Sequence, residues 1–274
     1  MERSEINALL ALNLPELIAQ ANKVRKEFVK PKVELCNILN AKSGRCAEDC
    51  KFCAQSGRHS TGIDNYPLKN KDEIIAAALK AKEMGAERFD IVISGDRLLK
   101  EELSLIADCI REITSKIKIK MCASLGSMGE EELLLLKKSG LTRYHHNIET
   151  SERYFPKIVS THTFQDRVKT IRAAKKVGLE VCSGGIIGMG ETMDDRIDMA
   201  LTLKELGVDS VPINILVARA GTPLENLQPQ SCEEAIRTIA IFRIILRDKI
   251  IKLAAGRESV LKDFQGLAFM AGAN

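Results

Sequence analysis

Three thiols fall within CAEDCKFC: Cys46, Cys50 and Cys53, with three residues between the first pair and two between the second. Thiols at such spacing can be tied into disulfides, fold around zinc, or hold a reactive iron–sulfur group. A structural zinc site takes four protein ligands, commonly as two Cys-x-x-Cys or Cys/His pairs. No second pair lies nearby, and His59 is the nearest candidate for a fourth ligand. A thioredoxin-like redox reading of Cys50-Lys-Phe-Cys53 leaves Cys46 unexplained. Three thiolates suit a four-iron cubane held at three corners, whose fourth iron stays open to a reactant.

Such a site needs a scaffold. The chain has 274 residues, 45% hydrophobic and 28% charged, with no tryptophan. That allows a sizeable core in one large α/β barrel or two smaller domains, and it excludes a disordered or fibrous chain. Forty-one basic residues stand against 37 acidic ones, a formal charge of +4, and the lysines are scattered beside Glu and Asp, which excludes a nucleic-acid stripe. The N-terminus lacks the pattern of a signal peptide, and no stretch approaches the roughly 20 apolar residues of a membrane span. The expected location is therefore cytoplasmic, with neither nucleic acid nor membrane as a partner. In that reducing compartment, clustered cysteines among the chain's eight read as ligands or catalysts instead of disulfides.

A degenerate phrase recurs. AKEMGAERFDIVI, LKKSGLTRYHHNI, AKKVGLEVCSGGI and LKELGVDSVPINIL each end a Lys-rich amphipathic helix at a glycine and enter an apolar run. Gly85, Gly140, Gly178 and Gly207 read as helix C′ residues in the left-handed conformation. The runs read as strands covered by helices. With VELCNIL, KIKIKMCASL and KIIKLAAGR, seven strands are identifiable, and an eighth is not evident before the chain ends. The prediction is an α/β fold, a TIM-type (βα) barrel, formed as a single domain over residues 1–274, with residues 1–30 as an N-terminal helical extension. A doubly wound sheet is the alternative, although no Gly-x-Gly-x-x-Gly follows the first strand. In a barrel the cysteine trio, directly after the first strand, occupies a top-face loop, where active sites of this architecture lie. YHHNIET is the expected fourth strand, placing His145, Asn147 and Glu149 on one face; polar residues facing a barrel interior are costly unless they bind something.

Cys-x3-Cys-x2-Cys after the first strand resembles the radical S-adenosylmethionine superfamily. CAEDCKFCAQS, YHHNIETS, VCSGGIIGMGET, SVPINILV, GTPL, AGRE and FMAGAN are similar, in the same order, to the biotin synthase family, from about residue 33 to the chain end. The resemblance implies Cys46, Cys50 and Cys53 as ligands of the [4Fe-4S] cluster that binds S-adenosyl-L-methionine. It implies Phe52 near the adenine, Arg167 on the methionyl carboxylate, Asn147 and Asn214 on dethiobiotin with His145 beside them, Glu149 near the ribose, and Ile186 and Val217 lining the adenine. Gly184, Gly185, Gly188 and Gly190 read as clearance for cofactor. His145 and Glu149 stand where family members often have Asn and Asp.

The family holds a second, auxiliary iron–sulfur cluster deep in the barrel. Its matching ligands are Cys122, Cys182 and Arg257, placed on the third, fifth and seventh strands, and these carry the sulfur-transfer role. The remaining family cysteine, on the second strand, is Asp90 here. Cys36 on the first strand, expected beside the second, is a replacement ligand, and the cluster is then either a two-iron one as in the family or a four-iron one with an extra sulfide. Cys109 and Cys232 read as structural.

The implied activity is sulfur insertion into dethiobiotin by a radical sulfurtransferase. The implied partners are a reducing electron donor such as flavodoxin or ferredoxin, iron–sulfur assembly proteins, and a second copy in a homodimer. The alternatives are another radical enzyme on the same barrel, an isomerase or a metallocofactor-assembly enzyme, and a non-catalytic iron–sulfur or zinc protein.

Overall fold

The computed structural model describes residues 3–29 and 33–274. Two helices, α1 (Arg3–Leu10) and α2 (Leu14–Phe28), lead the chain, and the expected boundary of the extension at residue 30 lies outside the described residues. Asn13 caps α2 by accepting the Glu16 N–H at 3.0 Å. The barrel then runs β1 (Cys36–Lys42), α3 (Lys71–Glu83), β2 (Arg88–Ile93), α4 (Lys100–Lys116), β3 (Lys120–Ser124), α5 (Glu130–Lys138) and β4 (Leu141–His145). It continues through α6 (Phe155–Ile158), α7 (Phe164–Lys176), β5 (Glu180–Cys182), β6 (Gly185–Ile187), α8 (Met193–Glu205), β7 (Ser210–Ile215), α9 (Cys232–Leu246) and β8 (Ile250–Leu253). Two short helices, α10 (Arg257–Leu261) and α11 (Gln265–Met270), close the chain.

Every strand pair is parallel and β1 to β5 lie side by side in sequence order, which excludes the doubly wound alternative, whose order reverses at a switch point. Both β5 and β6 pair with β7, at Cys182↔Ser210 and at Gly185–Ile187 against Ile213–Ile215. They are thus two pieces of one interrupted strand, and the barrel has the seven predicted strand positions. The interruption follows from close approach: a Cβ on Gly184 would sit 2.0 Å from the Pro212 carbonyl oxygen. No pairing joins β1 to β8 among the described residues, so the barrel is partial; Glu34 and Lys252 face each other across the opening at 4.0 Å.

The four repeat glycines adopt φ of +83, +111, +77 and +63° at positions 85, 140, 178 and 207, the conformation a helix C′ position demands. At the other helix ends, reciprocal capping boxes (Asn70 with Glu73, Thr163 with Asp166, Thr192 with Asp195) fix where α3, α7 and α8 begin. The strands alternate: Phe89 and Ile91 of β2, and Val211, Ile213 and Ile215 of β7, are buried among helix residues such as Ile74, Ile106, Ile110 and Ile239. Polar residues at the intervening positions face the barrel interior. No helix is long and apolar enough among the described residues to cross a membrane.

Candidate active site

The loop after β1 carries the first thiol group. Its backbone is locked by Cys46 N–H to Gln55 O at 3.0 Å, Gly57 N–H to Cys46 O at 2.8 Å, and Cys53 N–H to Cys50 O at 2.9 Å. Two acidic residues between the cysteines tie the loop to the segment before α7. Asp49 accepts the Ser160 and Thr161 backbone N–H groups at 2.9 and 3.2 Å, and Glu48 holds His162 Nδ1 at 2.6 Å. All eight cysteines are free thiols. Burial pushes the Cys50 thiol well above its ordinary pKa, and the charges of Glu149 and Cys53 push it further; Cys53 is raised by burial as well.

This donor set fits a cationic iron–sulfur core, which removes the cost of gathering thiolates in a poorly solvated loop. It fits a single zinc ion less well. His59 Nε2 is engaged with the Cys50 carbonyl at 3.1 Å, and no group of three or more His, Cys, Asp or Glu side chains converges on one ion position among the described residues. A cubane takes each thiolate at a different iron.

Phe52, Ile186 and Val217, expected to surround an adenine, line one cleft of about 390 Å³ together with Asn214, Gly256 and Arg257. Glu149, whose backbone carbonyl accepts the Ile186 N–H at 2.9 Å, takes a positive φ of 68° and pairs with Arg167 at 3.4 Å. Glu149 Oε2 is buried with no partner, and burial raises the carboxyl's pKa despite the Arg167 charge. An orphaned acceptor of this kind suits a hydroxyl-bearing ligand such as a ribose. Arg167 also donates Nε to the Asn147 carbonyl and approaches His162 Nε2 at 3.3 Å, so its contacts run to protein on several sides. Asn214 bridges two backbones, Nδ2 to Gly185 O at 3.1 Å and Oδ1 from Ala255 N–H at 3.2 Å.

Close approach and turn geometry shape the glycine-rich run. A Cβ on Gly185 would lie 2.3 Å from the Glu149 carbonyl oxygen, and Gly188 and Gly190 have φ of +89 and +98°. Neighbouring backbone at Gly185 and a turn at Gly188 and Gly190 already require glycine at these positions. The turn is held by Glu191, which accepts Gly188 and Met189 N–H at 2.8 and 2.7 Å and pairs with buried Arg196 at 2.7 Å.

The second thiol group lies lower in the barrel. Cys36 opens β1, Cys122 is on β3, and Cys182 ends β5. The Cys36 and Cys122 thiols are neighbours, and their interaction lowers the Cys36 pKa against the effect of burial and raises that of Cys122 in concert with burial and the nearby Asp90 charge. Cys182 is in register with His145. Burial alone would lower the His145 pKa, but its neighbour Cys182 and the hydrogen bond to Asp90 raise it to about 10. Asp90 Oδ1 and Ser210 Oγ, the latter on the residue in register with Cys182, are buried without partners. Cys36 and Cys122 as neighbours, Cys182 opposite His145, and the orphaned polar atoms between them suit a polar or inorganic group.

Arg257 departs from its expected place. It follows β8 as the first residue of α10, not within the seventh strand, and its guanidinium meets Ala254 O and Glu258, both at 3.1 Å, on the wall of the upper cleft. A charged floor beneath the lower thiols was missed from sequence: Arg88 and Arg143 share Glu34 and Glu180, with all four contacts between 2.8 and 2.9 Å. Its signal was present, since Arg88 and Asp90 are charged at alternate positions of a strand that is otherwise apolar.

The chain matches two family patterns, the Radical SAM superfamily over residues 41–203 and the Biotin and Thiamin Synthesis associated domain over residues 212–274. The biotin synthase of Thermotoga petrophila is 51% identical over 271 residues, covering 98% of this chain and 89% of the relative. The chain belongs to the biotin synthase family. A biotin synthase of Clostridium perfringens is 50% identical over 274 residues, covering 100% of this chain and 86% of its own. The crystal structure of methylornithine synthase superposes with a TM-score of 0.85 at 23% identity over 99% of this chain and 80% of that one, a likeness of fold. Membership in the biotin synthase family makes the two thiol groups comparable with a radical-generating and a sulfur-donating cluster.

Proposed function

We propose that the chain converts dethiobiotin to biotin, with the whole of residues 1–274 working as one barrel domain and residues 1–30 as its helical extension. The observation that carries this reading is the presence of two separate thiol groups in one barrel, one in the top loop and one inside. When bound, the [4Fe-4S] cluster with S-adenosylmethionine supplies 5′-deoxyadenosyl radicals, and the auxiliary cluster supplies sulfide.

In this reading Cys46, Cys50 and Cys53 hold the first cluster, and Glu48 and Asp49 keep their loop in place through Ser160, Thr161 and His162. Phe52, Ile186 and Val217 shield the adenine from water, Glu149 accepts from the ribose, and Arg167 orients the methionyl end. Asn147 and Asn214 position dethiobiotin between the two groups. Cys122, Cys182 and Cys36 hold the sulfur source, with Cys36 taking the place of the thiolate absent at Asp90, while Arg88 and Arg143 offset the negative charge above the floor. Arg257, which pairs with Glu258 on the cleft wall, is the remaining auxiliary-cluster ligand that the family resemblance implies. Each hydrogen removed from substrate ends in one 5′-deoxyadenosine, and two carbon–sulfur bonds close the ring.

A flavodoxin or ferredoxin as electron donor, iron–sulfur assembly proteins as suppliers, a homodimer, and a reducing cytoplasmic setting for the eight free thiols complete the proposal. Reconstituted anaerobically and reduced with dithionite, the protein is expected to form 5′-deoxyadenosine from S-adenosylmethionine and biotin from dethiobiotin. Deoxyadenosine without biotin would favour another radical enzyme, and neither product would favour a carrier.

A further inference from the structure

The loop that carries the upper thiols sorts its charges by side. RCAEDCKFCAQSGR, residues 45–58, mixes Glu48 and Asp49 with Arg45, Lys51 and Arg58. Both acids turn inward: Asp49 accepts the Ser160 and Thr161 N–H groups at 2.9 and 3.2 Å, and Glu48, 18% exposed, holds His162 Nδ1 at 2.6 Å. The three bases stay exposed. Arg58 is laid across the loop by Nε donating to the Ala47 carbonyl at 2.9 Å. Arg45 sits beside it, since a Cβ on Gly57 would lie 3.4 Å from Arg45 Cα. At the other end of the loop the Lys51 N–H donates to the Ile158 carbonyl at 2.9 Å, which sets exposed Lys157 next to Lys51. Lys157 Nζ has only the Tyr154 ring, at 5.3 Å, for company. None of these four side chains is in an ion pair among the described residues, whereas exposed Arg153 nearby is matched by Asp195 at 2.6 Å. No exposed acid occurs in residues 45–58 or 155–158.

We propose that Arg45, Lys51, Arg58 and Lys157 form the docking surface for a small acidic one-electron carrier protein, which reduces this chain across the Cys46–Cys53 loop. This rests on the reading of that loop as the ligand set of a radical-generating cluster. Reductive cleavage of a sulfonium consumes one electron each time, and that electron comes from outside the chain. The balance is one for one: an anionic flavin hydroquinone loses one electron and becomes the neutral semiquinone, the chain takes that electron, and no proton moves. Four uncompensated cations around the half-buried thiols bring an acidic carrier to the shortest path inward, and they raise its rate of encounter. The inward turn of Glu48 and Asp49 is what gives the face a single sign. Facing outward, the two carboxylates would cancel half of the four positive charges and repel the carrier.

The test uses the full chain reconstituted anaerobically, comparing wild type with the double variant Lys51→Glu, Lys157→Glu and with Lys80→Glu, an exposed lysine of α3 away from the loop. An acidic flavodoxin supplied as hydroquinone and an acidic reduced ferredoxin serve as probes. Stopped-flow absorbance reads the rate of reduction, titration calorimetry reads binding of the oxidised carrier, and iron content is measured alongside. At low ionic strength the double variant is expected to be reduced about tenfold more slowly or worse, with weaker carrier binding in parallel. The gap closes to within about twofold at ~0.5 M salt, where screening reaches only a few ångströms. Iron content and deoxyadenosine formation driven by dithionite stay unchanged, and Lys80→Glu behaves as wild type. Equal rates in wild type and double variant would overturn the proposal, as would a slowing that persists at high salt or that Lys80→Glu reproduces. So would loss of iron or of dithionite-driven turnover in the double variant, which would make the two lysines part of the loop's structure, or wild-type protein that dithionite reduces and neither carrier does. Wild-type protein that forms deoxyadenosine but no biotin sinks the biotin synthase reading and leaves this one standing; no deoxyadenosine even with dithionite sinks both.

Discussion

Replacing Glu34 with Gln removes the carboxylate on which both buried arginines of the barrel floor converge. Glu34 Oε1 takes Arg88 Nε at 2.8 Å and Arg143 Nη1 at 2.9 Å, with Lys252 Nζ at 4.0 Å. Both arginine side chains are 2% exposed, whereas the other carboxylate, Glu180, is 44% exposed and serves them from the rim. In Glu34→Gln, the two guanidiniums keep Glu180 as their one carboxylate, with Thr142 Oγ1 still accepting from Arg88. Breaking a buried pair by removing one partner costs about 3–5 kcal/mol; the Gln oxygen still accepts one hydrogen bond, so the lower figure, about 3 kcal/mol, applies. At ~2–4 °C per kcal/mol for a domain of this size, the unfolding midpoint falls by roughly 6–12 °C. The sign with pH follows from the carboxyl. Burial alone would raise its pKa, but Arg143 and Arg88 hold it below the ordinary value. The difference between wild type and variant is therefore full above the ordinary carboxylate pKa and shrinks as pH falls through the lowered one. Thermal unfolding followed by far-UV circular dichroism, anaerobically and at matched iron content, reads this directly. A shift under about 2 °C at pH 7 would refute the reasoning, because the guanidiniums would then be hydrated through the open floor.

Cys36→Ala is expected to lose the iron and sulfide of the auxiliary cluster while the protein still cleaves S-adenosylmethionine; an unchanged second cluster in anaerobic metal analysis would return Cys36 to the role of a buried thiol. Glu191→Ala strips buried Arg196 of its partner and frees the Gly188 and Met189 amides, so chemical denaturation should show a loss of about 3–5 kcal/mol, and a loss under about 1 kcal/mol would contradict the network. Gly184→Ala drives a Cβ to 2.0 Å from the Pro212 carbonyl, and overpacking of at least ~1–3 kcal/mol should appear in the same measurement; wild-type stability would mean that β7 yields freely.

The barrel was legible because its signals are local and repeated: Lys-rich helices ending in glycine at 85, 140, 178 and 207, each followed by an apolar strand. The Cys46, Cys50 and Cys53 group was legible from spacing alone. Other features depend on register, which one strand does not reveal. Cys36 is in register with Arg88, not Asp90, and meets Cys122 from there. The break between β5 and β6 and the glycines around it answer to the backbone of β7 and of Glu149, which sequence order does not bring beside them. The charged floor needs four elements together, since Glu34 and Glu180 serve arginines on β2 and β4. Arg257 was placed on the seventh strand by resemblance to the family, yet Gly256, at φ +82°, turns the chain and starts a helix.

The account turns on an inorganic sulfur held by the thiols inside the barrel and delivered to carbon. Protein reconstituted with iron and isotopically heavy sulfide, freed of excess reagent and given dethiobiotin and S-adenosylmethionine under reduction, tests this by mass spectrometry of the first biotin formed. The account predicts biotin carrying the heavy sulfur; biotin with light sulfur, or heavy biotin made equally well after Cys122→Ala and Cys182→Ala, would contradict it.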